Sequence, residues 1–413
     1  MSDLQALRAA AREAWFYALP LIEVATTRTR EAGRGAVPNQ YSHVRALADH
    51  RMRLVTTPNN DTLYSSAQLD LGAGPITLTL PAAGERYLSL ALMDAYTNNF
   101  AILGTRTTGP DGGRFRLVGP NDPADGPDVV RSPTRHVWAL ARVLVDGPHD
   151  LEAAQAVQAG LSMQGPAGEP FAQEARRSAP WQEYFASADR LMAMDVPPVT
   201  DRALLRRIAP LGLGEGRFDP AGFAPEEQEA IAAGVAEAQG ILRRAGGLAA
   251  NGGEGWSYPD PVLGDFGQSY LYRAAVAVAG LAALPPAEAM YMRAVGPEGA
   301  LFDGTKDWVL RFAADQKIPV DSFWSLSLYE ATEDGNFFFT ENPLGRFAIG
   351  DRTPGLQHDA DGGLTIRIGH RAPEDASNWL PAPAGPFALF MRAYLPQRPL
   401  LTGQYRLPAV VAV

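Results

Sequence analysis

The chain predicts an α+β multidomain fold. Two antiparallel β-sandwich units, jelly-roll-like and related by internal duplication, accompany an N-terminal helix and a central helical block. Three observations carry this reading. First, the 413-residue sequence repeats itself in order. RYLSLALMDAYTNNF (86–100) reads like SFWSLSLYEATEDGNFF (322–338), GTRTTGPDGGRFRLVGP (104–120) like GDRTPGLQHDADGGLTIRIGH (350–370), and WALARVLVDGP (138–148) like FALFMRAYLPQRP (387–399). Second, ITLTL, YLSLALM, FRLV, LTIRI and FALFMRAYL alternate or run apolar over strand lengths. Their PDGG and ADGG punctuation accepts the positive φ of hairpin turns. Third, the residues between the copies carry helical periodicity.

Taken along the chain, residues 1–34 form an N-terminal helix, with a charge every few positions and no long apolar core. Residues 35–148 form the first β unit. Residues 149–305 form a helical block containing HDLEAAQAVQAGLSMQ, WQEYFASADRLMAM, TDRALLRRIAPLGL and APEEQEAIAAGVAEAQGILRRAGG. The last of these has acids in its first turn, arginines in its last and a glycine stop, as the helix dipole favours. SYLYRAAVAVAGLAALPPAEAMYMRAV is apolar on most faces, so a buried helical segment is expected there. Residues 306–413 form the second β unit, with a hairpin insertion around TENPLG. The duplication predicts that Gly104-Thr105-Arg106 falls on Gly350-Asp351-Arg352.

Composition narrows the function. A net charge of −10 argues against a nucleic-acid surface, and no basic block suggests a membrane patch. No stretch reaches the roughly 18 apolar residues of a membrane span. The start lacks the apolar core of a signal peptide, and the reading is a soluble, cytoplasmic protein. The absence of cysteine excludes disulfides, thiolate metal sites and a cysteine nucleophile. No Walker A loop or H-E-x-x-H is present, and GQSYL (267–271) lacks the final glycine of a nucleophile elbow. The histidines are scattered, so neither metal nor cofactor is expected. The expected partner is a small-molecule substrate, and a homo-oligomer is compatible with this composition.

Longer motifs point to a family. PNNDTLYSSAQLDL, MDAYTNNFAILGTRTTG and ALPLIEVATTR resemble the bacterial proteins grouped as domain of unknown function 1254. DSFWSLSLYEA, ENPLGRFAIGDRTPGLQHDADGGLTI, NWLPAPAGPF and MRAYLP resemble the usual C-terminal companion, domain of unknown function 1214. The resemblance covers nearly the whole chain and implies two jelly-roll-like β domains flanking helices.

The candidate site is PNNDTLY. Asn59, Asn60 and Asp61 would serve as an Asx turn before a strand, but a turn needs only one or two such residues, and Thr62 and Tyr64 follow. The second copy shows no matching stretch, and a requirement of the repeat should appear in both copies. Asp61 is therefore the expected general base, with Asp94 as a second catalytic candidate and Asn59 and Asn60 holding ligand or a developing oxyanion. Asn39, Tyr41, His43, Tyr96, Asn98 and Asn99 could converge on it. Trp256, in a glycine-rich loop with an exposed look, Arg273 with Tyr270, and Asn378 with Trp379 complete a surface suited to an uncharged, hydroxylated or amide-bearing ligand. Arg106 and Arg352 recur in both copies and read as structural. The leading expectation is a hydrolase acting on a small polar, carbohydrate-like or amide-bearing substrate. A non-catalytic small-ligand or carbohydrate-binding protein is the alternative, and a lyase or isomerase using the same aspartate is the third.

Overall fold

The structure, a computed structural model, describes residues 3–244, 249–253 and 255–413. The expected glycine stop at 246–247 lies outside the described residues. Helix α1 (Asp3–Ala32) buries Leu7, Ala11, Trp15, Ala18 and Ile22 along one stripe of i, i+3 and i+4 spacing. The next α-helix is the short α2 (Leu151–Ala159), and the α1 stripe shares a core with α3 (Trp181–Met194), α4 (Arg202–Ile208), α5 (Pro225–Arg244) and α6 (Tyr270–Ala279). Acids open α5 and arginines close it, as its sequence predicts. Among the described residues no helix is long and apolar enough to cross a membrane.

The first β unit contains β1 (Ser42–His43), β2 (Thr62–Asp70), β3 (Ile76–Leu80), β4 (Leu88–Asp94), β5 (Asn99–Gly104), β6 (Gly113–Val118), β7 (Val129–Arg131), β8 (His136–Leu144) and β9 (Ser162–Gln164). One sheet runs β1-β2-β8-β4-β5 and a second runs β7-β6-β3-β9. Leu63, Leu69, Leu90, Leu92 and Val137 from the first meet Ile76, Leu78, Leu80 and Leu117 from the second in one core.

The second unit contains β10 (Ala249–Gly253), β11 (Trp256–Pro259), β12 (Ala289–Ala294), β13 (Phe302–Asp303), β14 (Trp308–Phe312), β15 (Trp324–Ala331), β16 (Phe337–Phe338), β17 (Ala348–Gly350), β18 (Leu364–Gly369), β19 (Trp379–Pro381), β20 (Pro386–Tyr394) and β21 (Val410–Ala412). Its larger sheet runs β10-β11-β12-β20-β15-β16, with β17 also on β15, and the smaller runs β19-β18-β14-β21. Pairing is antiparallel in both units except for β6 with β7 and β18 with β19. No sheet closes into a barrel among the described residues.

Two expectations are corrected here. The apolar run after Ser269 does not stay helical: α6 stops at Ala279, and residues 289–294 are the strand β12. Gly280 ends the helix in a non-helical conformation, and Pro285 and Pro286, which lack an N–H donor and clash with a preceding turn, keep it from resuming. Residues 162–164 and 256–259 are likewise strands. The second unit's sheet thus begins well before position 306.

The strand orders β2-β8-β4-β5 and β12-β20-β15-β17 match, as do β7-β6-β3-β9 and β19-β18-β14-β21. Glycine recurs at the same place. A Cβ on Gly104 would lie 2.1 Å from the Leu88 carbonyl oxygen, and one on Gly350 would lie 2.2 Å from that of Trp324. Between the units, Tyr87, Ile102 and Leu144 pack on Phe323, Tyr394 and Leu395. The Phe323 and Tyr394 rings stack at 4.2 Å.

Candidate functional site

Cross-strand register builds the site. Arg142 of β8 sits opposite Tyr64 of β2 on one side and Ser89 of β4 on the other. In the second unit, Arg392 of β20 sits opposite Tyr291 of β12 and Ser325 of β15. Side chains alternate across a sheet, so each row presents its tyrosine, arginine and serine on one face. Both arginines are almost fully buried.

The two rows meet in the seam but are filled differently. Arg392 donates from Nη1 to Ser327 Oγ at 2.7 Å and from Nη2 to the Thr57 carbonyl at 3.0 Å. Ser325 Oγ donates to Asp61 Oδ2 at 2.6 Å. In the first row, Arg142 donates from Nη2 to the Ala282 carbonyl at 2.9 Å and approaches the Tyr64 hydroxyl. Its Nε and Nη1 have no hydrogen-bond partner, and neither does Ser89 Oγ. The guanidinium lies 5.3 Å from the Tyr64 ring centre and also faces Tyr291, Tyr394 and Tyr87. It forms no ion pair among the described residues. An arginine carries five N–H donors, so a buried one left this open is costly unless something else occupies it.

The backbone is strained around both guanidiniums. Thr57 (φ 49) and Ala282 (φ 68), whose carbonyls receive Arg392 and Arg142, are non-glycine residues in the left-handed region. Leu395 (φ 50), next to Tyr394, is a third. Such conformations cost of order 1–3 kcal/mol each and cluster at ligand sites.

The motif PNNDTLY lies across this seam. Asn59 Nδ2 donates to the hydroxyls of Tyr394 at 2.9 Å and Tyr64 at 3.2 Å, and contacts Thr62 Oγ1 at 3.3 Å. Its Oδ1 accepts from the Asp61 amide at 2.8 Å, the Asx turn of the bland reading. Asn60 is half-buried with Oδ1 unpartnered. Burial pushes the Tyr64 hydroxyl up, but the Arg142 charge and the Asn59 hydrogen bond outweigh it, leaving the group below the usual tyrosine value. Burial instead holds Tyr291 and Tyr394 above it. Tyr64 and Tyr291 are half-buried residues.

Asp61 itself is not aimed at open space. It is buried, with Oδ2 bound by Ser325 and Oδ1 3.5 Å from Arg352 Nη2. It also has a counterpart in the second copy, contrary to the expectation above. Glu288 precedes β12 as Asp61 precedes β2, and it takes Tyr87 Oη at 2.7 Å and Arg106 Nε at 2.5 Å. The recurrent arginines therefore each face an acid of the opposite unit.

The other candidates lie elsewhere. Asp94 is buried in a turn, accepting from the amides of Tyr96 and Asn98 and from Asn98 Nδ2. Burial raises its carboxyl to about 6. Tyr96 donates to the Asp195 carbonyl, and its ring joins Tyr17 and Tyr270 around Arg273. Asp94 and Asp201 act in that cluster, unlike the tyrosine-only surroundings of Arg142. Asn39 caps the end of β2 through the Asp70 amide. Asn99 Nδ2 donates to the carbonyls of Gly264 and Ala283. His43 stacks on Tyr41 and shares a hydrogen bond with Ser65. Trp256 is fully buried rather than exposed, its indole donating to the Pro408 carbonyl. Asn378 closes a loop onto Gln357 and Thr365, and Trp379 is buried in β19 with its indole on the Gly369 carbonyl.

Arg142 and Arg392 escape the sequence reading, although both stand in the quoted echo of WALARVL with FALFMRAYL. A lone arginine at the same place in two apolar strands was the signal.

The model described as "Protein of unknown function (DUF1254)" matches residues 38–165, and that described as "Protein of unknown function (DUF1214)" matches residues 288–398. The crystal structure of the VPA0106 protein from Vibrio parahaemolyticus has TM-score 0.74 and 23% identity, covering 98% of this chain and 100% of that one. An uncharacterized protein from Burkholderia cenocepacia has TM-score 0.47 and 15% identity, over 99% and 94% of the chains. No curated protein matches the sequence. The first likeness shows a shared fold. With both domain models matched in order across the two β units, the chain belongs to the two-domain DUF1254/DUF1214 family.

Proposed function

We propose that this protein is an enzyme acting on a small polar substrate that carries a carboxylate or develops an oxyanion. The substrate is held at Arg142 in the seam between the β units, and the Tyr64 hydroxyl beside it gives or takes the proton. One observation carries the reading: Arg142 is buried with Nε and Nη1 unpartnered, whereas its counterpart Arg392 is satisfied internally. A requirement of the fold would be met alike in both copies. Donors preorganised in a dry site and aimed at developing negative charge are the strongest single device of catalysis.

Hydrolysis, elimination and isomerisation all use such a proton transfer. The hydrolase reading with Asp61 as general base is replaced, because both Asp61 oxygens face partners that tie the units together. A non-catalytic binding protein is the second reading, favoured by the engagement of both candidate carboxylates, Asp61 and Asp94, in internal hydrogen bonds.

We also infer that the two β units are sandwiches descended from one copied unit of jelly-roll type. Support comes from the matching strand orders and the equivalent rows Tyr64–Arg142–Ser89 and Tyr291–Arg392–Ser325.

A thermal-shift screen of small carboxylates, phosphates and neutral sugars tests the function. Anything that binds only the native state raises the melting temperature. Anionic compounds should raise it for the native protein and fail to do so for Arg142→Met. A response to neutral sugars alone, equal in both proteins, would remove Arg142 from the account.

A further inference from the structure

We infer that anion binding in the seam is coupled to uptake of one proton by Tyr64. The ionised form of Tyr64 and an entering carboxylate compete for the same Arg142 guanidinium, so a bound carboxylate favours the protonated phenol. The inference rests on the Arg142 site proposed above and adds how its charge is balanced.

The geometry supplies the argument. Arg142 is buried against Tyr64, its direct cross-strand neighbour. The Tyr64 oxygen accepts from Asn59 Nδ2 at 3.2 Å, and a donor of this kind favours the ionised oxygen. The charged groups facing Tyr64 are Arg142 from β8 and Arg392 from β20. The tyrosines around it are Tyr291 from β12 and Tyr394 from β20. Asp61 also acts on the neighbouring Tyr394 and Arg392, but it is bound by Ser325 and faces Arg352, while Glu288 is bound by Arg106. The acids of the seam are thus committed, and a surplus of guanidinium charge remains at Arg142. Tyr64 is the hydroxyl on which that charge acts most directly.

Two carriers of negative charge, phenolate and ligand, then compete for one guanidinium. Like charges brought together disfavour each other, so binding the second returns a proton to the first. The protonated Tyr64 is left beside the bound group as a proton donor, in position for the step proposed above.

The test is an ultraviolet titration of the intact protein, following the phenolate absorbance from neutral to alkaline pH. One tyrosine should ionise below the ordinary value of about 10, and it should be missing in Tyr64→Phe and shifted upward in Arg142→Met. Acetate or inorganic phosphate should raise its midpoint in the native protein. A native titration with no early tyrosine, or an early tyrosine that persists in Tyr64→Phe, overturns the inference. If anions raise the melting temperature but leave the midpoint unmoved, the coupling is wrong and the anion site stands. If they do neither, the site and the coupling fall together.

Discussion

Asp61 and Glu288 hold equivalent places, each immediately before its strand, and each is bound by an arginine of the opposite unit. Arg352 Nη2 lies 3.5 Å from Asp61, and Arg106 Nε lies 2.5 Å from Glu288. The two pairs form a crossed clasp over the seam. Breaking a fully buried pair by removing one partner costs about 3–5 kcal/mol. Arg352 keeps some solvent and has Asp146 and Asp351 nearby, so Asp61→Asn should cost less, about 2 kcal/mol. Denaturant unfolding of Asp61→Asn, Arg352→Gln and the double variant should show losses well short of additive. Strict additivity would mean that the two groups do not interact.

The glycines that begin the recurrent GxRTxG segments should be equally intolerant. A methyl group at Gly104 or Gly350 meets a neighbouring strand carbonyl at little over 2 Å, so something must move. Gly104→Ala and Gly350→Ala should each cost about 2–3 kcal/mol. A tolerant position, read by chemical denaturation, would break the equivalence of the two units.

Relief of backbone strain should be measurable. Thr57 and Ala282 hold positive φ so that their carbonyls meet Arg392 and Arg142. Glycine adopts this conformation without the Cβ clash. Thr57→Gly and Ala282→Gly should therefore gain about 0.5–1 kcal/mol, the reverse of the usual loss. A loss of stability in both would show that the conformation is unstrained.

Asp94 should make stability depend on pH in a direction opposite to an ion-paired carboxylate. Its carboxyl is raised by burial to about 6, above the unfolded value of about 3.9. Between those values the native state binds more protons than the unfolded state, so stability falls as pH rises. Below both values the group is protonated in each state and contributes nothing. Above both, the penalty is complete. Asp94→Asn removes the titration, so its stability relative to the native protein should improve as pH rises from about 4 to 6. A constant difference across that range would remove the buried carboxyl as its cause.

Much of the β architecture is legible because its strands alternate cleanly and their turns carry Asp-Gly and Gly-Gly. β12 is not, because AEAMYMRAV follows an alanine-rich helix. Only Pro285-Pro286 and the in-out alternation of Tyr291 and Arg293 mark the change. PNNDTLY stands out as a polar cluster and does lie in the seam. Which of its members matter depends on pairings more than 200 residues apart, such as Asp61 with Ser325. The seam's most open group, Arg142, sits within the apolar strand HVWALARVL and is invisible to a search for polar clusters. Its significance comes from what it lacks, a partner, and only packing reveals that.

Charge removal at the two equivalent arginines tests the central claim most directly, and it requires no ligand. Met approximates the length of an arginine stem without its charge. If Arg142 is a buried charge kept open for substrate, Arg142→Met should change the stability of the ligand-free protein by less than about 1 kcal/mol, because relief of a buried unpaired charge offsets the one hydrogen bond lost at the Ala282 carbonyl. Arg392→Met should instead destabilise by about 2 kcal/mol or more, because it strands Ser327 and the Thr57 carbonyl. A clear loss at Arg392 beside little or no loss at Arg142 in urea unfolding is the predicted result. Equal losses at both positions would mean that Arg142 is as structural as its twin, and the proposed site would be contradicted.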